Sequence, residues 1–172
     1  LNSIQLAVPV HNSYVYYVIA AIAVVYVFTF GWQNVAGTYL ARSLVRGDPV
    51  FVISDYFYAI KKNWRQGLIV GLLDCLCIAV LAVDFMYFYY QTGSFRLDLM
   101  YAVTVALIFI YYTMRFYIYM QMITFDISIW KMIKNSLIFT ALGIKRNLLA
   151  ILGIVVLAAV NVILALLLFP LK

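Results

Sequence analysis

Four apolar runs, each long enough to cross a bilayer as a helix, decide what this chain can be. They extend roughly from Tyr14 to Gln33, Leu68 to Tyr90, Leu99 to Thr124 and Leu148 to Phe169. A helix rises about 1.5 Å per residue, so roughly 20 apolar residues cover about 30 Å of hydrocarbon. Composition closes the soluble route. The chain has 172 residues, 67% apolar and 10% charged, whereas soluble domains average roughly 45–50% apolar and about 25% charged. A soluble domain of this size still exposes about a third of its unfolded surface to water, so the excess must face lipid. The expected fold class is all-α: one integral membrane domain over residues 1–172, a polytopic helix bundle with four transmembrane helices and amphipathic helices in the connections. A soluble enzyme, a secreted disulfide scaffold and a disordered chain are excluded.

The acidic groups are six Asp (48, 55, 74, 84, 98 and 126) with no Glu, against twelve Lys or Arg, a net charge of +6. Their placement favours a membrane over nucleic acid as the partner. Arg42, Arg46, Lys61, Lys62 and Arg65 lie between the first two runs, and Lys131, Lys134, Lys145 and Arg146 between the last two. The short connection from Gln91 to Asp98 holds only Arg96, and the C-terminal end only Lys172. The positive-inside rule puts both long connections in the cytoplasm. Trp32, Trp64 and Trp130 fall at the inner ends, and Tyr14, Tyr16, Tyr17, Tyr87, Tyr89, Tyr90 and Tyr101 at the outer ends, as amphipathic rings at headgroup level should. Leu1 would then lie outside, which suggests a further span upstream.

The long connections carry helical patterns of their own. Val35, Tyr39, Leu40 and Leu44 recur at helical spacing until Gly47, a helix stop. Asp48-Pro49 reads as a turn or a new helix start. Ser54 then precedes a helix in which Phe57, Ile60 and Trp64 share a face, with Lys61, Lys62 and Arg65 elsewhere. In the other connection Asp126 is placed to cap a helix whose stripe is Ile127, Trp130, Ile133 and Leu137, flanked by Lys131 and Lys134. Such helices lie on lipid or dock on a partner. There is also an internal echo: Ile60-Lys61-Lys62-Asn63 enters the second span and Ile144-Lys145-Arg146-Asn147 the fourth, a duplication of the kind seen in transporters.

Two embedded charges stand at matching depth. Counting from the span centres, Asp74 and Arg115 each sit roughly 6–7 Å to the inner side of the midplane. An unpaired charge there costs about 2.5–3.5 kcal/mol on insertion scales, so an Asp74–Arg115 pair is the cheapest arrangement, as a tie in the bundle or as part of a transport route. Asp84 and Asn161, further out, would extend a polar path. Gly67, Gly71, Cys75 and Ala79, four apart, form a small-residue strip for close helix contact. Cys75 and Cys77 are two apart on a helix and cannot pair, so they read as small buried residues. No phosphate-binding glycine loop occurs. His11 has no carboxylate near it in sequence for a hydrolytic triad, and clustered metal ligands are missing. No enzyme, cofactor or metal site is expected.

The stretch Tyr39-Leu40-Ala41-Arg42-Ser43-Leu44-Val45-Arg46-Gly47-Asp48-Pro49, followed by Asp55-Tyr56-Phe57-Tyr58-Ala59-Ile60-Lys61-Lys62-Asn63-Trp64-Arg65-Gln66-Gly67, resembles the YesL-like family of bacterial membrane proteins of unknown function. Phe125-Asp126-Ile127-Ser128 and Lys134-Asn135-Ser136 resemble a later segment of that family. The likeness covers about residues 29–170 and departs around Pro9 and Phe30-Gly31. It implies a multi-pass protein of the bacterial plasma membrane, often encoded beside carbohydrate ABC importers, and supplies no catalytic residues. Two functions follow as expectations. One is an accessory or assembly subunit of such an importer, meeting its permease and ATPase through Phe57, Ile60, Trp64, Trp130 and Ile133. The other is a small transporter or channel that uses the polar path. The permease's own coupling-loop signature is missing.

Overall fold

The computed structural model describes residues 13–91 and 93–168. Pro9, His11, Lys172 and the end of the fourth span at Phe169 lie outside them, as do the expectations placed on those residues. Among the described residues five helices follow one another: α1 (Ser13–Arg46), α2 (Val52–Tyr90), α3 (Phe95–Thr124), α4 (Ile129–Leu142) and α5 (Ile144–Leu168). No strand occurs among the described residues. Helices α1, α2, α3 and α5 are long and apolar enough to cross a membrane, and the fold is all-α.

The helices outrun the apolar runs. Helix α1 continues past Gln33 to Arg46, because nothing between them breaks a helix. It ends at Gly47, whose φ of +74° is a conformation glycine adopts without penalty. There the Gly47 amide donates to the Leu44 carbonyl (3.1 Å) and the Asp48 amide to the Ser43 carbonyl (3.0 Å), the paired bonds that satisfy a helix's last carbonyls. Asp48 therefore closes α1 and does not open α2. Ser54, expected to precede the helix, lies inside the first turn of α2. The capping role falls to Asp55, whose Oδ2 accepts the Phe51 amide at 2.8 Å, satisfying an N–H that the helix cannot. In the second long connection Asp126 lies in extended chain and α4 starts after Ser128. Ile127 is thus outside the helix whose stripe it was expected to join.

Helix α2 is two helices joined by a kink at Asn63 (φ −116°, ψ 21°). The Asn63 side-chain amide donates to the Ala59 carbonyl at 3.0 Å. That carbonyl is the acceptor Asn63's own backbone N–H would use in an unbroken helix, and such insertion of a side chain into the ladder bends helices. The expected amphipathic helix and second span are therefore the two arms of one bent element.

The chain divides into two compact units, the first ending at Val83 and the second beginning at Asp84. In the first, Val35, Ala36, Ala59 and Val70 form the buried apolar core, around a crossing of α1 and α2 at glycine. A Cβ on Gly31 would fall on the Gly67 carbonyl oxygen and lie 2.7 Å from the Gly71 Cα. Only glycine lets the backbones meet this closely. The expected strip on α2 thus holds for Gly67 and Gly71, while Cys75 is half-buried and Ala79 exposed. Cys77 is half-buried too, so neither thiol is the fully buried filler expected of it.

In the second unit Ile118, Tyr119, Met122, Ile123 and Met132 are buried, together with Thr113, Gln121, Ser136 and Thr140. Beside them Phe85 and Tyr89 at the end of α2 meet Tyr101 of α3, with ring centroids 5.5 and 6.3 Å apart. Helix α5 buries none of its described side chains. A helix this apolar that buries so little is built for lipid or a partner.

Candidate functional site

Each unit contains a joint where a short helix turns into a long apolar one, and the candidate surfaces lie at these joints. In the first unit the short arm is residues 52–62 of α2. The Trp32 Nε1–H donates to the Trp64 carbonyl at 2.8 Å, one residue beyond the kink, and Tyr39 meets Tyr58 with centroids 5.9 Å apart. These contacts fix which side of the arm packs. Ala59 is fully buried and Ile60 half-buried, while Phe57 is 65% exposed and Trp64 exposed. Of the expected shared face, Phe57 and Trp64 point outward and Ile60 lies at its edge. The Arg65 guanidinium stands 5.1 Å from the Trp64 ring centroid, within cation–π range.

In the second unit the short helix is α4, and the side it packs carries Ser136 and Thr140, which leaves outward most of the stripe expected to meet lipid or a partner. Met132, Ser136 and Thr140, four apart, are buried. Ser136 Oγ accepts from Gln121 Nε2 of α3 at 2.7 Å. Trp130 is 75% exposed, Leu137 is also exposed, and Ile133 is half-buried. Hydroxyls thus point into the protein and aromatic and aliphatic groups point out. In water this would waste the hydrophobic effect. Against lipid or a partner it is sound, since small polar residues are the usual glue between membrane helices. Lys131 and Lys134 stand exposed beside Trp130.

The α4–α5 joint is held by polar side chains. Gly143 (φ −91°, ψ 10°) separates the helices. Tyr117 of α3 donates its hydroxyl proton to Asn147 Oδ1 at 2.8 Å, and Asn147 Nδ2 donates to the Thr140 carbonyl at 3.3 Å. The echoed sequences Ile60–Asn63 and Ile144–Asn147 therefore fall at corresponding joints, and in each the asparagine amide bonds a carbonyl of the preceding short helix.

The intramembrane polar residues are placed as follows. Asp74 is buried at 3% exposure on α2 in the first unit. Arg115 is half-buried on α3 in the second, its guanidinium 5.5 Å from the Tyr119 ring centroid. Asp84 is half-buried at the start of the second unit. Asn161 is exposed on α5 and donates to its own helix at the Leu157 carbonyl, 2.8 Å away.

Tyr117, Gln121 and Gly143 carry the joints without having been singled out in the sequence, and Gly31 and Ser136, named there only for the family likeness, carry them too. Gly31 is the single glycine of the first apolar run, and Gln121 and Arg115 are the strongly polar groups of the third. Such isolated exceptions were the available signal.

This architecture defines a class: an all-α protein with four helices suited to cross a membrane and short helices at the joints. The model of one family, described as "Protein of unknown function, DUF624", matches residues 13–85. That stretch takes in α1, the kinked α2 as far as Phe85, and the glycine crossing. It begins earlier than the YesL-like resemblance, including the Phe30-Gly31 region read as divergent, and stops short of the Phe125–Ser128 segment. No curated protein and no solved structure matches the chain.

Proposed function

We propose that this protein is a non-enzymatic, multi-pass subunit of the bacterial plasma membrane that docks a partner membrane complex through the outward faces of residues 54–65 and α4. The observation that carries this reading is the packing of α4, with Ser136 and Thr140 inward and Trp130 turned out beside two lysines. Exposed aromatics with aliphatic neighbours and a basic rim have the make-up of binding hot spots. Phe57 and Trp64 beside Lys61 and Arg65 give the first unit a second surface of the same kind. The resemblance to YesL-like proteins supports a carbohydrate ABC importer as the partner, its permease and ATPase being the subunits met.

Both surfaces would then face the cytoplasm, where the ATPase is. A cysteine placed at Lys62 or Lys134 should resist an impermeant thiol reagent in intact cells and react after permeabilisation. Labelling from outside would refute the orientation. Docking itself is tested by purifying the tagged protein from native membranes in mild detergent at low salt. Wild type should bring down permease and ATPase, identified by mass spectrometry. Trp130→Ala and Ile133→Asp should lose them while expression and membrane insertion persist. Recovery of this chain alone from wild type would end the proposal.

A further inference from the structure

The second joint encloses a cavity of about 580 Å³ lined by Tyr117, Phe139, Leu142, Gly143, Ile144, Lys145 and Arg146. Two cations and a phenol share it with three apolar side chains. Among the described residues neither Lys145 nor Arg146 has a carboxylate within salt-bridge range. Both are exposed, and so are Phe139, Leu142 (81%) and Ile144 around them. The cavity also lies where a peripheral helix turns into an apolar helix, the level at which lipid headgroups sit.

We infer that the α4–α5 joint is a binding site for a phosphate group, and that an anionic phospholipid supplies it. Charge complementarity selects the ligand: Lys145 and Arg146 offer two cations with no counter-charge in salt-bridge range among the described residues, and phosphate is the anion their donors fit best. The apolar side of the cavity selects the source. Free phosphate would leave Phe139, Leu142 and Ile144 idle, whereas a diacyl lipid sets its glycerol and upper chains against them while its headgroup meets the cations. Basic pockets between membrane helices hold anionic headgroups in this manner. The site is independent of the docking surface, because Trp130 and Ile133 lie two to three turns earlier on α4.

The test is native mass spectrometry of the detergent-purified protein titrated with phosphatidylglycerol or phosphatidylcholine. Monodispersity and helical circular dichroism confirm that each variant is folded. Wild type should retain one phosphatidylglycerol per chain in preference to phosphatidylcholine. Lys145→Gln with Arg146→Gln should weaken that retention by about thirtyfold, since each basic residue near an anionic surface contributes roughly a factor of five. Arg46→Gln with Arg96→Gln removes the same charge away from this joint and from both docking surfaces, and should leave it unchanged. A second arm uses inorganic phosphate, followed by ³¹P line broadening. Broadening that depends on Lys145 and Arg146, without preferential lipid retention, keeps the phosphate site but overturns the lipid as its source. Equal loss in both charge variants, or no binding of either probe, overturns the site.

Discussion

The two joints solve one mechanical problem with opposite materials. A short helix must turn into a long apolar one, and the freed backbone groups need partners where water is scarce. The first unit does it with shape: Gly31, Gly67 and Gly71 let the backbones of α1 and α2 touch, and Asn63 and the Trp32 ring each satisfy one carbonyl. The second does it with polar side chains, Gln121 to Ser136 and Tyr117 to Asn147 to Thr140. At the first the backbones are in contact at glycine, and at the second the hydrogen-bonded side chains stand beside a cavity. A close-packed joint resists change, and one braced by polar side chains can take a ligand.

The comparison predicts that the glycine joint is the more fragile. Gly31→Leu or Gly71→Leu puts a side chain where the facing backbone already is. Overpacking of an ordinary core costs about 1–3 kcal/mol, and here neither backbone can yield, so the expected outcome is loss of monodisperse protein from detergent extracts. Gly37→Ala is the control. Its Cβ meets nothing within 4 Å, and alanine is favoured over glycine in a helix by up to about 1 kcal/mol, so thermal stability should hold or rise. Equal damage from Gly37→Ala and Gly31→Leu would remove the crossing from the account.

The polar joint should fail by smaller steps. Gln121→Leu leaves buried Ser136 without its donor and should destabilise by about 1–2 kcal/mol. Adding Ser136→Ala should restore part of that, because hydrogen bonds between membrane helices couple by about 0.6 kcal/mol on average. Strict additivity in this double-mutant cycle would mean that the pair contributes nothing. Tyr117→Phe should have the smallest effect, about 0.5–1.5 kcal/mol, seen as a modest drop in melting temperature with the helix content unchanged.

The spans were legible in the sequence because lipid imposes a length and a composition that few other environments share. Their ends were not. A helix stops where a residue stops it, and from Gln33 to Arg46 none does, so α1 runs on to Gly47. Caps were misread for a related reason: Asp48, Ser54 and Asp55 crowd one short stretch, all three can accept an amide proton, and only the chain path selects Asp55. Periodicity marked on α4 an apolar stripe suited to lipid or a partner, and its Trp130 and Leu137 stand outward. One sequence did not show that Met132, Ser136 and Thr140 would form the packed side. The strip at Gly67 and Gly71 was visible, while its partner Gly31 was not, because one sequence does not say which helices meet. The outward Phe57, Trp64 and Trp130 were legible as candidates, and Gln121 and Tyr117 were hidden among apolar neighbours.

Whether those outward aromatics meet protein or only lipid is the central question, and site-specific photocrosslinking in native membranes puts it most directly. A photoreactive residue would replace Phe57 or Trp130, with exposed Leu152 of α5 as the comparison position. The account predicts discrete protein adducts from positions 57 and 130, identified by mass spectrometry as subunits of an importer, and lipid adducts from position 152. Lipid adducts alone from all three positions would contradict it.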